Sequence, residues 1–141
     1  MVFVSSTSDR KWEPEFTAGD TRIDTVEEYK FLGITADNNL RFSSHIHNTR
    51  AKGMKRVNIL KCLSTKDWGC SLELQKSLYL TYICSILEYA SPSWSSWVSA
   101  TNTKALQTVQ NAALRSVYSL YKTCPEEFLH LETGVEPLNH R

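Results

Sequence analysis

The spacing of apolar residues changes once along the chain, near residue 40. Before that point, apolar and β-branched residues come in short runs separated by turn formers, which is the pattern of strands. After it they recur every three or four positions, which is the pattern of helices with one buried face. Val2-Phe3-Val4 opens as an extended run, residues 5–10 form a polar loop, and Pro14-Glu15-Phe16-Thr17 resumes a strand. Ala18-Gly19-Asp20-Thr21 predicts a turn in which Gly19 takes a positive φ. The run Tyr29-Lys30-Phe31-Leu32-Gly33-Ile34-Thr35 is rich in aromatic and β-branched residues and predicts the strongest strand. Gly33 inside it marks a bulge or a close backbone approach, and Asp37-Asn38-Asn39 is the turn that follows.

Ser43 or Ser44 is a candidate cap for a first helix whose buried face carries Ile46, Gly53, Val57 and Leu60. Gly53 costs such a helix about 1 kcal/mol relative to Ala unless close packing requires it. A second helix is predicted from Leu72 to Tyr89, with Leu72, Leu78, Tyr82, Ile86 and Tyr89 as its stripe, Gln75 and Leu87 beside it, and Pro92 as its stop. Trp94 and Trp97 follow in a serine-rich connector and read as anchors rather than stacking platforms. A third helix starts near Asn102 and buries Leu106, Val109, Ala113, Val117 and Leu120. Thr123-Cys124-Pro125-Glu126 resembles a capping box opening a short helix that Gly134 ends. The fold class is therefore α+β: a short N-terminal antiparallel β-hairpin followed by three to four helices.

Charge sharpens this division. The chain has 141 residues and a formal net charge of +1. Residues 1–37 hold four basic and eight acidic side chains, residues 38–66 seven basic and none acidic, and residues 67–141 five basic and seven acidic. The first helix thus carries a cationic block that suits a polyanion, with a solvated face as the alternative reading. Lys52, Lys55 and Arg56 lie at i, i+3 and i+4 and share a face, flanked by Arg50 and Lys61. Backbone N–H groups around Phe31, Leu32 and Gly33 are candidates for a phosphate at close range.

Other chemistry is poorly supported. There is no Asp-Asp pair for a two-metal site, no Gly-x-Ser-x-Gly and no phosphate-binding Gly-rich loop. Glu27 and Glu28 point to opposite faces of a strand, and His45 and His47 do not face each other on a helix. Cys62, Cys70, Cys84 and Cys124 form no CxxC pair, so zinc is disfavoured and reduced thiols in an intracellular compartment, nucleus or cytoplasm, are expected. No apolar run approaches the ~20 residues of a membrane span, so no membrane partner is expected.

An ordered set of short segments resembles the reverse transcriptases of non-LTR (LINE-like, jockey-type) retrotransposons. Residues 29–37 resemble that family's Y-K-Y-L-G-V-x-x-D, and residues 40–46 its L-x-W/F-x-x-H-I. Trp68-Gly69, Leu78-Tyr79 and residues 86–94 resemble its W-G and L-Y-x-x-x-I-x-x-x-L-E-Y-x-x-x-x-W. Residues 106–115 resemble L-x-x-V-Q-N-x-A-L-R, and residues 134–138 resemble G-x-x-P-L. The resemblance implies that residues 1–40 are the end of a palm and a primer-grip hairpin, 41–100 a thumb and 101–141 a truncated connector. It implies a template–primer partner, either an RNA–DNA hybrid or DNA, gripped by Phe31, Leu32, Gly33, Arg50, Lys52, Lys55 and Arg56. The family's catalytic aspartates match nothing here, so the resemblance implies an inactive piece that works with a separate palm and fingers. No cofactor is expected in this chain, and Mg2+ belongs to that palm. A helical interaction module, or an element remnant without function, is the competing expectation.

Overall fold

The computed structural model describes residues 16–24, 26–64 and 69–140. The strand expected at Val2-Phe3-Val4, the loop at residues 5–10, Pro14-Glu15 and Trp68 lie outside the described residues. The architecture is α+β, with two small antiparallel hairpins leading into a helical body.

The first hairpin pairs β1 (Phe16–Ala18) with β2 (Thr21–Ile23), and Phe16 lies opposite Ile23. Its two-residue loop places Gly19 at φ 62°, as expected for a glycine opening such a loop. The second hairpin pairs β3 (Glu28–Phe31) with β4 (Ile34–Asp37). The sequence suggested one strand through Gly33 with a bulge; instead Leu32 and Gly33 are the loop, with φ of 45° and 86°. Two consecutive positive φ angles give a turn whose twist matches the strands it joins. Leu32 adopts that conformation without glycine's freedom, at a cost of roughly 1–2 kcal/mol.

Helix α1 runs from Ser43 to Leu63. Its cap is neither Ser43 nor Ser44, as expected from sequence, but Phe42, held at φ 53° without a side-chain cap bond. Asp37 organises this entry: its backbone oxygen accepts from Leu40 N at 3.0 Å and its Oδ1 from Phe42 N at 2.8 Å. Ser44 turns outward and donates to Glu28 Oε1.

The predicted second helix is a continuous rod of three parts. Helix α2 (Leu72–Leu78) passes through a π-helical turn (Tyr79–Cys84) into α3 (Ser85–Leu87). The stripe predicted for it is displaced. Gln75, Tyr79, Ile83 and Leu87 are buried, whereas Leu72, Tyr82 and Tyr89 are exposed. Steps of four residues overshoot an α-turn, and the wider π turn lets them stay on one face. Pro92 does not stop the rod. Ala90 does so at φ 51°, and Pro92 lies in the first turn of α4 (Ser91–Trp94). Trp94 is buried and donates to the Tyr89 carbonyl at 2.9 Å, while Trp97 is exposed.

Helix α5 (Ala100–Val117) is capped by Ser99, and α6 (Glu126–Thr133) starts after Pro125 with no side-chain cap, so the proposed capping box does not form. Gly134 ends α6 at φ 65°. The core lies where α1, the rod and α5 meet, around Val57, Ile83, Leu87, Val109 and Ala113. A Cβ on Gly53 would lie 2.8 Å from Val109 Cγ1, so α1 and α5 approach as closely as only glycine permits.

Candidate nucleic-acid interface

The tip of the second hairpin overhangs a depression of about 420 Å³ between α1 and the end of the rod. The hairpin contributes Lys30, Gly33 and Thr35. Lys30 and Thr35 are directly paired across the strands, so their side chains leave the same face. Helix α1 contributes His45, Asn48, Thr49, Lys52 and Arg56, whose spacing of three or four residues makes one helical face. Ser85, Ile86 and Tyr89 form the far wall. Among the described residues, the basic side chains of Lys30, Lys52 and Arg56 line this concavity and no carboxylate does.

Long-range contacts fix the hairpin over it. Tyr89 Oη donates to the Leu32 carbonyl at 2.9 Å, and a Cβ on Gly33 would lie 3.5 Å from the same phenol ring. Thr35 N donates to His45 Nδ1 at 3.4 Å. A ring nitrogen that accepts is unprotonated, so this bond assigns the neutral ring's proton to Nε2. His45 is buried, and its ring lies 5.7 Å from that of Trp94. Burial first, and then the charge of Lys52, lower its pKa from the ordinary 6.5.

Of the seven residues singled out in the sequence, Gly33, Lys52 and Arg56 come together in the depression. Arg56 has a second role. Its Nη1 donates to the Tyr82 carbonyl, and its guanidinium lies 4.4 Å from the centroid of the Tyr82 ring. Tyr82 sits in the π turn, where the regular hydrogen-bond ladder is interrupted, so Arg56 braces the rod as well as charging the site. Lys55 is exposed outside the depression. Phe31 and Leu32 are 64% and 73% exposed at the hairpin tip. Arg50 is not brought to this site. It lines a separate groove with Glu28, Ser43 and Asn102, because residues two apart on a helix diverge.

Lys30, His45 and Tyr89 were not candidates from charge spacing alone. The signal for Lys30 was the loop at Leu32-Gly33, which sets the register pairing it with Thr35. His45 and His47 are split, one buried and the other exposed. Among the described residues no group of three or more His, Cys, Asp or Glu side chains is placed to hold a metal ion. No helix among them is long and apolar enough to cross a membrane.

The chain is 26% identical over 121 residues to a probable RNA-directed DNA polymerase from transposon BS of Drosophila melanogaster. The match takes in 83% of this chain and 13% of that protein, so the chain spans a small part of its relative's length. No protein-family model and no solved structure matches the chain. The similarity supports a distant relationship to the transposon reverse transcriptases.

Proposed function

We propose that this chain is the primer-grip, thumb and connector segment of a non-LTR, jockey-type retrotransposon reverse transcriptase, and that it holds a template–primer duplex by its phosphates. The observation that carries this reading is the acid-free depression, where Lys30 of the hairpin meets Lys52 and Arg56 of α1. Cations that converge from two elements suit successive phosphates on a sugar–phosphate backbone. Lys55 and the exposed hairpin tip extend the contact along the duplex.

On this reading residues 1–40 close the palm and form the grip, 41–100 are the thumb and 101–141 the connector. Catalysis and its Mg2+ belong to the palm and fingers with which the segment works, inside the cell in nucleus or cytoplasm. The segment's own task is to bind and orient, through contacts that are independent of base sequence.

Anisotropy with a labelled RNA–DNA hybrid, at low and at moderate salt, tests this. Wild-type affinity should fall steeply with salt, and a Lys30→Glu/Lys52→Glu variant should bind more weakly with a shallower salt slope. Both positions are surface cations, so the variant should remain folded. Unchanged affinity and slope in that variant would overturn the assignment of the duplex to this face.

A further inference from the structure

We propose that the depression under the hairpin tip is a pocket for a single unpaired nucleotide at the end of a bound strand, with its phosphate on Lys30 and Lys52 and its base against Tyr89 and Ile86. This inference rests on the duplex-binding reading and says what the concave part of the site does that its rim cannot.

Three observations carry it. The first is shape. A volume of about 420 Å³ lies within the roughly 300–1,000 Å³ of small-molecule sites. A duplex cannot enter such a space and can only touch its rim, whereas one extruded nucleotide can enter.

The second is the distribution of chemistry. The cations Lys30, Lys52 and Arg56 come from the hairpin and α1, while the phenol ring of Tyr89 and the aliphatic Ile86 come from the other wall. An anion beside a flat apolar ring is the composition of a nucleotide, and aromatic walls take any base because every base has a π-face. Asn48 on the α1 wall and Ser85 on the far wall are neutral groups that can meet the edge of a base or a sugar hydroxyl.

The third is order. Tyr89 is fixed by its bond to the Leu32 carbonyl, and Thr35 is fixed by His45. The walls are therefore set before a ligand arrives, which lowers the entropic cost of binding.

The test compares two labelled RNA–DNA hybrids of equal duplex length, one blunt and one with a short single-stranded overhang. The wild-type chain should bind the overhang form about tenfold more tightly, the equivalent of one stacked base. Ser85→Trp fills the pocket from an exposed helix position without changing its charge. It should lose the preference for the overhang, read as the ratio of the variant's own affinities for the two hybrids. Circular dichroism and the thermal midpoint of that variant establish that it is folded. Equal wild-type affinity for the two hybrids would overturn the proposal and leave the duplex reading standing, as would a preference that survives in folded Ser85→Trp. Should Ser85→Trp not fold, nuclear magnetic resonance of the wild-type chain with the overhang hybrid decides, since only a seated nucleotide shifts Ser85 and Ile86 beyond their shifts with the blunt one. Binding of neither hybrid would overturn both readings. Binding of the overhang form alone would support the pocket while removing the duplex contact.

Discussion

Tyr89 Oη donates a hydrogen bond of 2.9 Å to the carbonyl of Leu32, 57 positions earlier in the chain. An isolated two-stranded hairpin is marginal in water, and this one carries a leucine at φ 45° in its loop. The tether from the end of the rod helps to hold that loop over α1. Replacing Tyr89 by Phe keeps the ring against Gly33 and removes only the bond. The expected loss is about 1 kcal/mol. Hydrogen exchange should speed up at the β3–β4 amides first, with little change in the amides of α5.

Gly53 should resist substitution. In an exposed helix Gly→Ala gains about 1 kcal/mol, but here the new methyl lies 2.8 Å from the Cγ1 of a fully buried, β-branched Val109. Overpacking of that kind costs typically about 1–3 kcal/mol, so a net loss of about 1 kcal/mol is expected for Gly53→Ala. Chemical denaturation of Gly53→Ala, Val109→Ala and the double variant should show a double variant less destabilised than the sum of the singles, since the second change makes the room that the first needs.

Gln110 is a buried junction between α5 and the C-terminal segment. Its Nε2 donates to Tyr79 Oη at 3.1 Å and to the Glu136 carbonyl at 2.9 Å, and its Oε1 accepts from Leu138 N at 3.1 Å. Gln110→Leu has similar volume but removes these bonds; Leu138 N keeps Gln107 Oε1 at 2.8 Å, while the Glu136 carbonyl loses this donor, so a loss of about 2 kcal/mol is expected. The thermal midpoint measures it, and the backbone after Gly134 should lose exchange protection first.

Acid should weaken the fold through His45. Because its folded-state pKa lies below 6.5, the unfolded chain takes up this proton first as pH falls. The stabilising contribution is complete above the unfolded-state value and declines as pH drops through 6.5 toward the folded-state value. Urea midpoints measured between about pH 7.5 and 5.5 should fall in the wild-type chain and fall less in His45→Gln.

Much of the helical body was legible from spacing. Ile46, Gly53, Val57 and Leu60 on α1, and Leu106, Val109, Ala113 and Val117 on α5, are buried as their periods predict. Those helices each have one apolar face, and a period suffices to find it. The rod misled because it is apolar on more than one side, and its π turn shifts the phase between the two ends. Gly33 misled for a different reason: a two-residue loop whose first residue is leucine lacks the Asn-Gly or Asp-Gly signature by which such turns are read.

The sequence by itself determined the class of fold, the acid-free cationic block and the helical face shared by Lys52 and Arg56. These are local properties, set by residues three or four apart. Only the tertiary structure decided that Lys30 joins them, that Arg50 does not, and that Arg56 also braces the Tyr82 carbonyl. It also decided that Tyr89 and His45 hold the hairpin in place over the depression. Those partners are 10 to 57 residues apart, and no periodicity encodes which distant surfaces meet. The packing of α1 against the rod and α5 chooses them, because that packing buries the core.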